Sequence, residues 1–186
     1  GLGDVYKRQC IYIEGYLLVN EPLVRSTMEK AKKLGLKVAL DLSNFNIVNA
    51  FKGMLEDIIP KYVDILFSNE SEAEAFTGQK AAEAVHTLSE LVEVSLVTLG
   101  KEGALIGSHG QFYSVPAEGG KPVDTTGAGD NFAAGFLYGQ SIGASLVQSA
   151  RIGSMLAGYV IDVVGPEIPY NKWEQIKLKV KGLSLI

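Results

Sequence analysis

From residue 11 onward the chain alternates between two patterns. Short apolar runs of strand length are followed by stretches with an apolar residue at every third or fourth place. Residues 11–18 read as a strand. Asn20-Glu-Pro22 supplies a cap residue with proline in the first turn, so a helix is predicted from there to Leu34, stopped by Gly35. Residues 38–42 read as a strand, and residues 48–59 as a helix ended by Pro60. A buried strand follows at 63–67, then a short helix at 70–76 closed by Thr77-Gly78, a helix at 81–91 and a strand at 94–99. Residues 104–107 and 111–115 flank Ser108-His-Gly110, a hairpin signal. Beyond Asp124 the pattern is helical over 128–140, 144–163 and 173–181. Repeated strand–helix–strand units of this length predict an α/β fold, with a mainly parallel sheet covered by helices on both faces. No repeat, low-complexity tract or long linker interrupts it, so residues 10–186 read as one domain. Residues 1–9 follow neither pattern and run straight into what reads as an interior strand; they are expected to be a non-native leader.

Composition narrows the function classes. The 186 residues are 47% hydrophobic and 20% charged, which suits a folded soluble domain. Seventeen basic against 21 acidic side chains give a net charge of −4, with no basic stripe, so a nucleic-acid partner is not expected. One cysteine, Cys10, allows no internal disulfide and fits a reducing compartment, where it reads as a small apolar strand residue. No apolar run reaches the roughly 18 residues that span a bilayer. No membrane partner is expected, and the cytoplasm is the expected location. His86 and His109 have no ligand-type spacing to another histidine, cysteine or carboxylate and read as surface residues. Trp173 reads as the anchor of the last helix.

The chemistry concentrates in Val123-Asp124-Thr125-Thr126-Gly127-Ala128-Gly129-Asp130, which opens a helix. Two glycines around an alanine let the backbone approach a ligand closely. The first amides of a helix lack partners and sit at the positive end of its dipole, which makes an anion site. A carboxylate in that first turn stands beside the bound anion. Asp130 could then take a proton from a substrate hydroxyl while the amides of Gly127, Ala128 and Gly129 hold the charge on a transferring phosphoryl group. The plainer alternative is that Asp130 caps the helix, although a cap needs neither two glycines nor Asp124. The run is not a P-loop, for no Gly-x-x-x-x-Gly-Lys-Ser/Thr occurs. Nor is it the dinucleotide fingerprint, whose third glycine is replaced by Phe132.

This run resembles the Asp-Thr-x-Gly-Ala-Gly-Asp signature of the PfkB carbohydrate kinase family, the ribokinase-like kinases that include adenosine kinases. Two further stretches resemble family motifs in the expected order. Asn69-Glu70-Ser71-Glu72 is similar to Asn-x-x-Glu, and implies that Glu72 with Asn69 positions Mg²⁺ and phosphate; alone it could be an acidic first helical turn. Thr98-Leu-Gly100-Lys-Glu-Gly103 is similar to Thr-x-Gly-x-x-Gly, and implies that Thr98, Gly100 and Gly103 line the nucleotide; alone it could be a strand ending in a turn. The resemblance further implies ATP binding that also uses Asn69 and Gly129. It places the residues 153–157 helix near the adenine, where plain core packing is the alternative, and a monovalent cation such as K⁺ near Asp124, Thr126 and the loop after Val160.

The implied fold is a ribokinase-like three-layer α/β/α sandwich whose amino-terminal part and lid are missing. The implied activity is ATP-dependent phosphorylation of an alcohol group on a nucleoside or sugar, by a monomer or homodimer. Tyr12-Ile-Glu-Gly-Tyr-Leu and the Phe136-Leu-Tyr-Gly…Val164-Gly-Pro166 pattern are closer in look to bacterial adenosine-kinase-like members than to ribokinases or fructokinases. A sugar kinase, or a truncated nucleotide-binding fragment without turnover, are the alternatives.

Overall fold

The computed structural model describes residues 10–119 and 122–183; the expected leader, residues 1–9, lies outside the described residues. The elements run β1 (Cys10–Glu14), α1 (Glu21–Lys33), β2 (Lys37–Asp41), α2 (Phe45–Ala50), α3 (Lys52–Tyr62), β3 (Ile65–Asn69), α4 (Glu70–Thr77), α5 (Ala81–Ser89), β4 (Val94–Thr98), β5 (Ala104–Ser108), β6 (Gln111–Val115), α6 (Ala128–Ser141), α7 (Leu146–Val160) and α8 (Trp173–Gly182). The six strands form one mixed sheet in chain order. β1 through β4 pair in parallel, with Glu14 beside Asp41 and Asn69 beside Thr98 at their carboxyl ends. The link from Leu99 to Gly103 is too short for the dozen-residue crossover a parallel pair needs, so the sheet turns antiparallel at β5. His109 and Gly110 then close β5 onto β6 with φ of 49° and 75°, the left-handed pair that matches hairpin twist.

The chain divides into two compact units, one of Gly1–Leu99 with Leu105–Phe112 and the other of Gly100–Ala104 with Tyr113–Ile186. In the first, successive residues Ile65, Leu66, Phe67 and Ser68 of β3 are all buried, so both faces of the strand are covered. Val24, Met28 and Ala31, at helical spacing, carry α1 into a core shared with Leu40, Leu55, Ile58 and Leu66. In the second unit, Ile152, Met155, Leu156 and Val160 of α7 pack with Ile168 and with Ile176 and Val180 of α8, and Trp173 lies against this cluster.

Several predicted boundaries differ from those observed: the strand expected over 63–67 lies two residues later, at Ile65–Asn69, the helix expected over 81–91 ends at Ser89, and three further elements differ for reasons visible in their hydrogen bonds. The strand expected over 11–18 stops at Glu14 because Gly15 turns there: its amide donates to Ser43 Oγ at 2.7 Å, and residues 15–19 form a 3₁₀ turn in which only Gly15 and Leu18 are buried. The helix expected over 48–59 is two helices. Asn44 caps the first by accepting from the Asn46 amide at 2.8 Å, Phe51 interrupts, and the second runs two residues past Pro60. The helix expected over 144–163 begins two residues later, at Leu146, after the cap residue Ser145. That side chain and Gln148 make a reciprocal capping box, and the helix ends at Val160.

Candidate active site

In the first unit the candidate residues lie at the carboxyl ends of parallel strands, where open α/β sheets place ligands. Asn69 ends β3 and caps α4. Its Oδ1 accepts from the Glu72 amide at 3.0 Å, while Glu72 Oε2 accepts from the Asn69 amide at 2.8 Å and Glu72 Oε1 from Asn69 Nδ2 at 2.7 Å. The Asn-x-x-Glu motif is therefore a closed capping box, a reading its Asn…Glu spacing permits but which was not drawn from the sequence. Thr98, the register partner of Asn69, is half-buried, and its hydroxyl donates to Ser68 O at 3.4 Å.

Glu72 is 4% exposed. Burial pushes its carboxyl up from 4.5 to about 7, with the negative charge of Asp41 adding to the rise and the Asn69 hydrogen bonds opposing it. Asp41, at the end of β2, was not singled out from the sequence; its place at a strand end was the available signal. It accepts from Tyr12 Oη at 3.2 Å and from the Ser43 amide at 2.6 Å. Among the described residues no group of three or more histidine, cysteine or acidic side chains is disposed to hold a metal ion. The residues still fit magnesium: a cation would relieve a buried carboxylate beside a second acid, and Mg²⁺ commonly takes one or two carboxylates, with phosphate and water completing its shell.

The raised carboxyl has a consequence for stability. Between about pH 4.5 and 7 the folded protein keeps a proton on Glu72 that the unfolded chain has lost. The Glu72 contribution is thus full below that window and is lost as pH climbs through 7. Thermal melts from pH 4.5 to 8 are expected to show Tm falling with pH more steeply in the wild type than in Glu72→Gln; parallel curves would contradict the protonated side chain.

The second unit holds the glycine loop. Gly127 is the N-cap of α6, with φ of 76°, and Asp130 lies in the first turn, as the motif predicts. A Cβ on Gly127 would stand 2.8 Å from the Pro166 Cβ in a conformation L-residues avoid, so the glycine is required there. A Cβ on Gly129 would meet nothing within 4 Å; its absence leaves room rather than relieving a collision. The Ala128 amide turns inward to Thr125 O at 3.2 Å. The amides of Gly129 and Asp130 have no backbone acceptor among the described residues, as expected for a helix start.

Asp124 acts as a clasp. Its Oδ1 accepts from the Thr126 amide at 2.9 Å and the Thr126 hydroxyl at 2.7 Å, and its Oδ2 accepts from the Gly165 amide at 2.9 Å. These donors, the Gly165 amide foremost, hold its carboxyl below the usual range. Gly103, with φ of 104°, belongs to the same unit as β6 residue Val115, whose carbonyl lies where its Cβ would be; Gly100, with φ of 54°, has open space there. The 153–157 stretch of α7 is packed: Gly153 lies against Phe132 O, and Ser154 Oγ donates to Pro116 O and accepts from the Glu118 amide, both at 2.9 Å. His86 and His109 are exposed; His86 stacks on Phe112 at 3.6 Å.

The sequence matches the pfkB family carbohydrate kinase over residues 3–173. This chain belongs to that family. It is 33% identical over 176 residues to the adenosine kinase of Saccharomyces cerevisiae, a match covering 87% of this chain and 52% of that protein. A probable sugar kinase protein from Rhizobium etli CFN 42 superposes over 97% of the chain with a TM-score of 0.88 and 32% identity. The adenosine kinase from Sinorhizobium meliloti superposes over 92% with a TM-score of 0.85 and 31% identity. In both, 56% of the solved chain is covered. The pfkB chain thus spans about half the length of the curated relatives it matches, at 52% and 54%. No helix among its described residues is long and apolar enough to cross a membrane.

Proposed function

We propose that this pfkB-family chain is the phosphate-handling part of an ATP-dependent phosphotransferase acting, in the cytoplasm, on an alcohol group of a nucleoside, with adenosine-type acceptors favoured. The observation that carries the reading is the start of α6, where a left-handed Gly127, free amides at Gly129 and Asp130, and the exposed Asp130 carboxylate occupy one helical turn. In the transfer, the acceptor hydroxyl oxygen bonds to the γ-phosphorus as the bond to the β,γ-bridging oxygen breaks, and ADP leaves. Asp130 receives the hydroxyl proton, and the loop amides stabilise charge on the phosphoryl oxygens. Magnesium, held by Glu72 with Asn69 when bound, would supply charge neutralisation of the nucleotide phosphates. A potassium-type ion would find at Asp124 a carboxylate kept ionised by its three donors.

The nucleoside reading is supported by the relatives described as adenosine kinases. A sugar acceptor is supported by the neighbour described as a probable sugar kinase. A nucleotide-binding fragment without turnover is supported by the half-length coverage. The test is an assay of adenosine, ribose and fructose with Mg·ATP, run on this chain and on the longest natural chain that contains it. Phosphorylated adenosine from the longer chain is the expected result. Turnover of ribose or fructose alone would move the assignment to sugars, and turnover of none by folded protein would end the kinase reading.

A further inference from the structure

Two side chains bracket the glycine loop, and each reaches the same short strap, Val164, Gly165 and Pro166. Asp124 does so from before the loop, through the Gly165 amide at 2.9 Å. Asn131 does so from after it: Nδ2 donates to Pro166 O at 3.2 Å and to Gly127 O at 2.9 Å. The Gly127 carbonyl also accepts the Asn131 amide at 2.9 Å, so a single residue holds it twice. The other end of that peptide, the Ala128 N–H, is held by Thr125 O at 3.2 Å. The Pro166 ring closes the remaining side, against the Gly127 Cα. The Gly127–Ala128 peptide plane is therefore pinned at carbonyl, amide and flank, and the amides that follow it inherit its orientation.

Asparagine is an unfavourable choice inside a helix, because its amide competes with the backbone ladder. Here it spends that competition on a carbonyl that its own N–H already satisfies, which α6 does not need in order to form. We propose that Asn131 is a positioning residue for phosphate: it locks the Gly127–Ala128 peptide to the 164–166 strap, so that the amides of Gly129 and Asp130 stand ready before the nucleotide arrives. The role rests on the kinase reading above. Residue and strap are 35 positions apart, so no local motif pairs them.

The test uses this chain as wild type, Asn131→Ala and Asn131→Asp. Binding of Mg·ATP and of AMP is measured by calorimetry, and amide exchange is followed over residues 122–131 and 162–168. In the Asp variant a carboxylate oxygen would face two carbonyl oxygens at unchanged size. Mg·ATP affinity is expected to fall about tenfold in Asn131→Ala and at least as far in Asn131→Asp. AMP affinity should hold, and exchange should quicken in the two segments alone. Unchanged exchange, or unchanged Mg·ATP affinity, would overturn the proposal. Equal losses for AMP, with faster exchange throughout the chain, would also overturn it by reducing Asn131 to a general stabiliser. If the wild type bound no Mg·ATP while exchange still quickened in the Ala variant, the clamp would be real but the nucleotide reading, and the positioning role with it, would fall.

Discussion

Asp130→Asn is expected to lower turnover by about 10²–10⁴-fold while leaving the fold intact, as befits loss of a general base. Asp130 does not fill the alternative role, capping: no side chain makes a cap hydrogen bond at the start of α6. Gly127 occupies the N-cap of α6, and the Asp130 carboxylate makes no hydrogen bond or ion pair among the described residues. Its stabilising contribution is then confined to the helix dipole, roughly 0.3–1 kcal/mol for an exposed acid in a first turn. Asparagine keeps the shape and loses the proton acceptor. Steady-state kinetics in the longest natural chain should show kcat falling with little change in KM for Mg·ATP, alongside a melting temperature within a few degrees of wild type. Full turnover by the variant would remove Asp130 from the mechanism. A matching collapse of stability would mean that the carboxylate holds structure instead.

The largest stability loss is expected from Gly103→Ala. The residue is buried, its φ is 104°, and a Cβ there would stand 1.9 Å from Val115 O and 2.7 Å from the Pro116 carbonyl carbon. Both obstacles are backbone and cannot rotate away. The unfavourable conformation costs roughly 1–2 kcal/mol and overpacking a further 1–3, for a total of about 3 kcal/mol. In a chain of this size that lowers Tm by about 6–12 °C. Calorimetry of the unliganded protein measures it, and a melt unchanged within 2 °C or so would show that β6 yields freely. The result also separates two explanations of the Thr-x-Gly-x-x-Gly motif. The close pass of Val115 accounts for Gly103 without any ligand, and Gly100, with open space where its Cβ would go, is favoured by its own left-handed φ of 54°.

Much of this was legible in the residues because it is local. The start of α6 at Ala128 follows from a glycine loop running into an apolar helical period, and the β5–β6 hairpin from Ser108-His-Gly110. The parallel strands from β1 to β4 follow from short apolar runs separated by helices. What was misread depended on side-chain bonds that periodicity does not register. Gly15 ended β1 by bonding to Ser43 Oγ, and Asn44 opened a separate helix before Phe51. Glu72 could be picked out by its motif, but not its protonation, which comes from burial and from Asp41 on another strand. The Asn131 link to Pro166 was invisible for the same reason: hydrogen bonds across 35 residues leave no spacing to read.

α6 and α7 approach most closely at their glycines. A Cβ on Gly135 would fall 2.7 Å from the Gly153 Cα, one on Gly139 would fall 2.6 Å from Ser149 Oγ, and one on Gly153 would fall 2.5 Å from Phe132 O. Where Gly135 meets Gly153 the contact is backbone on both sides and has no rotamers through which to adjust, so there the two helices can shift only as whole rods. The helix that presents Asp130 is thus gauged against its neighbour where Gly135 meets Gly153, and tied to it by the Gln140 Nε2 hydrogen bond to Ser149 Oγ at 2.7 Å. Reacting groups misplaced by about 1 Å can lose about 10²-fold in rate. The tolerance of the proposed base is in that sense set roughly one and a half to two and a half turns down its own helix, by residues that would never touch a substrate.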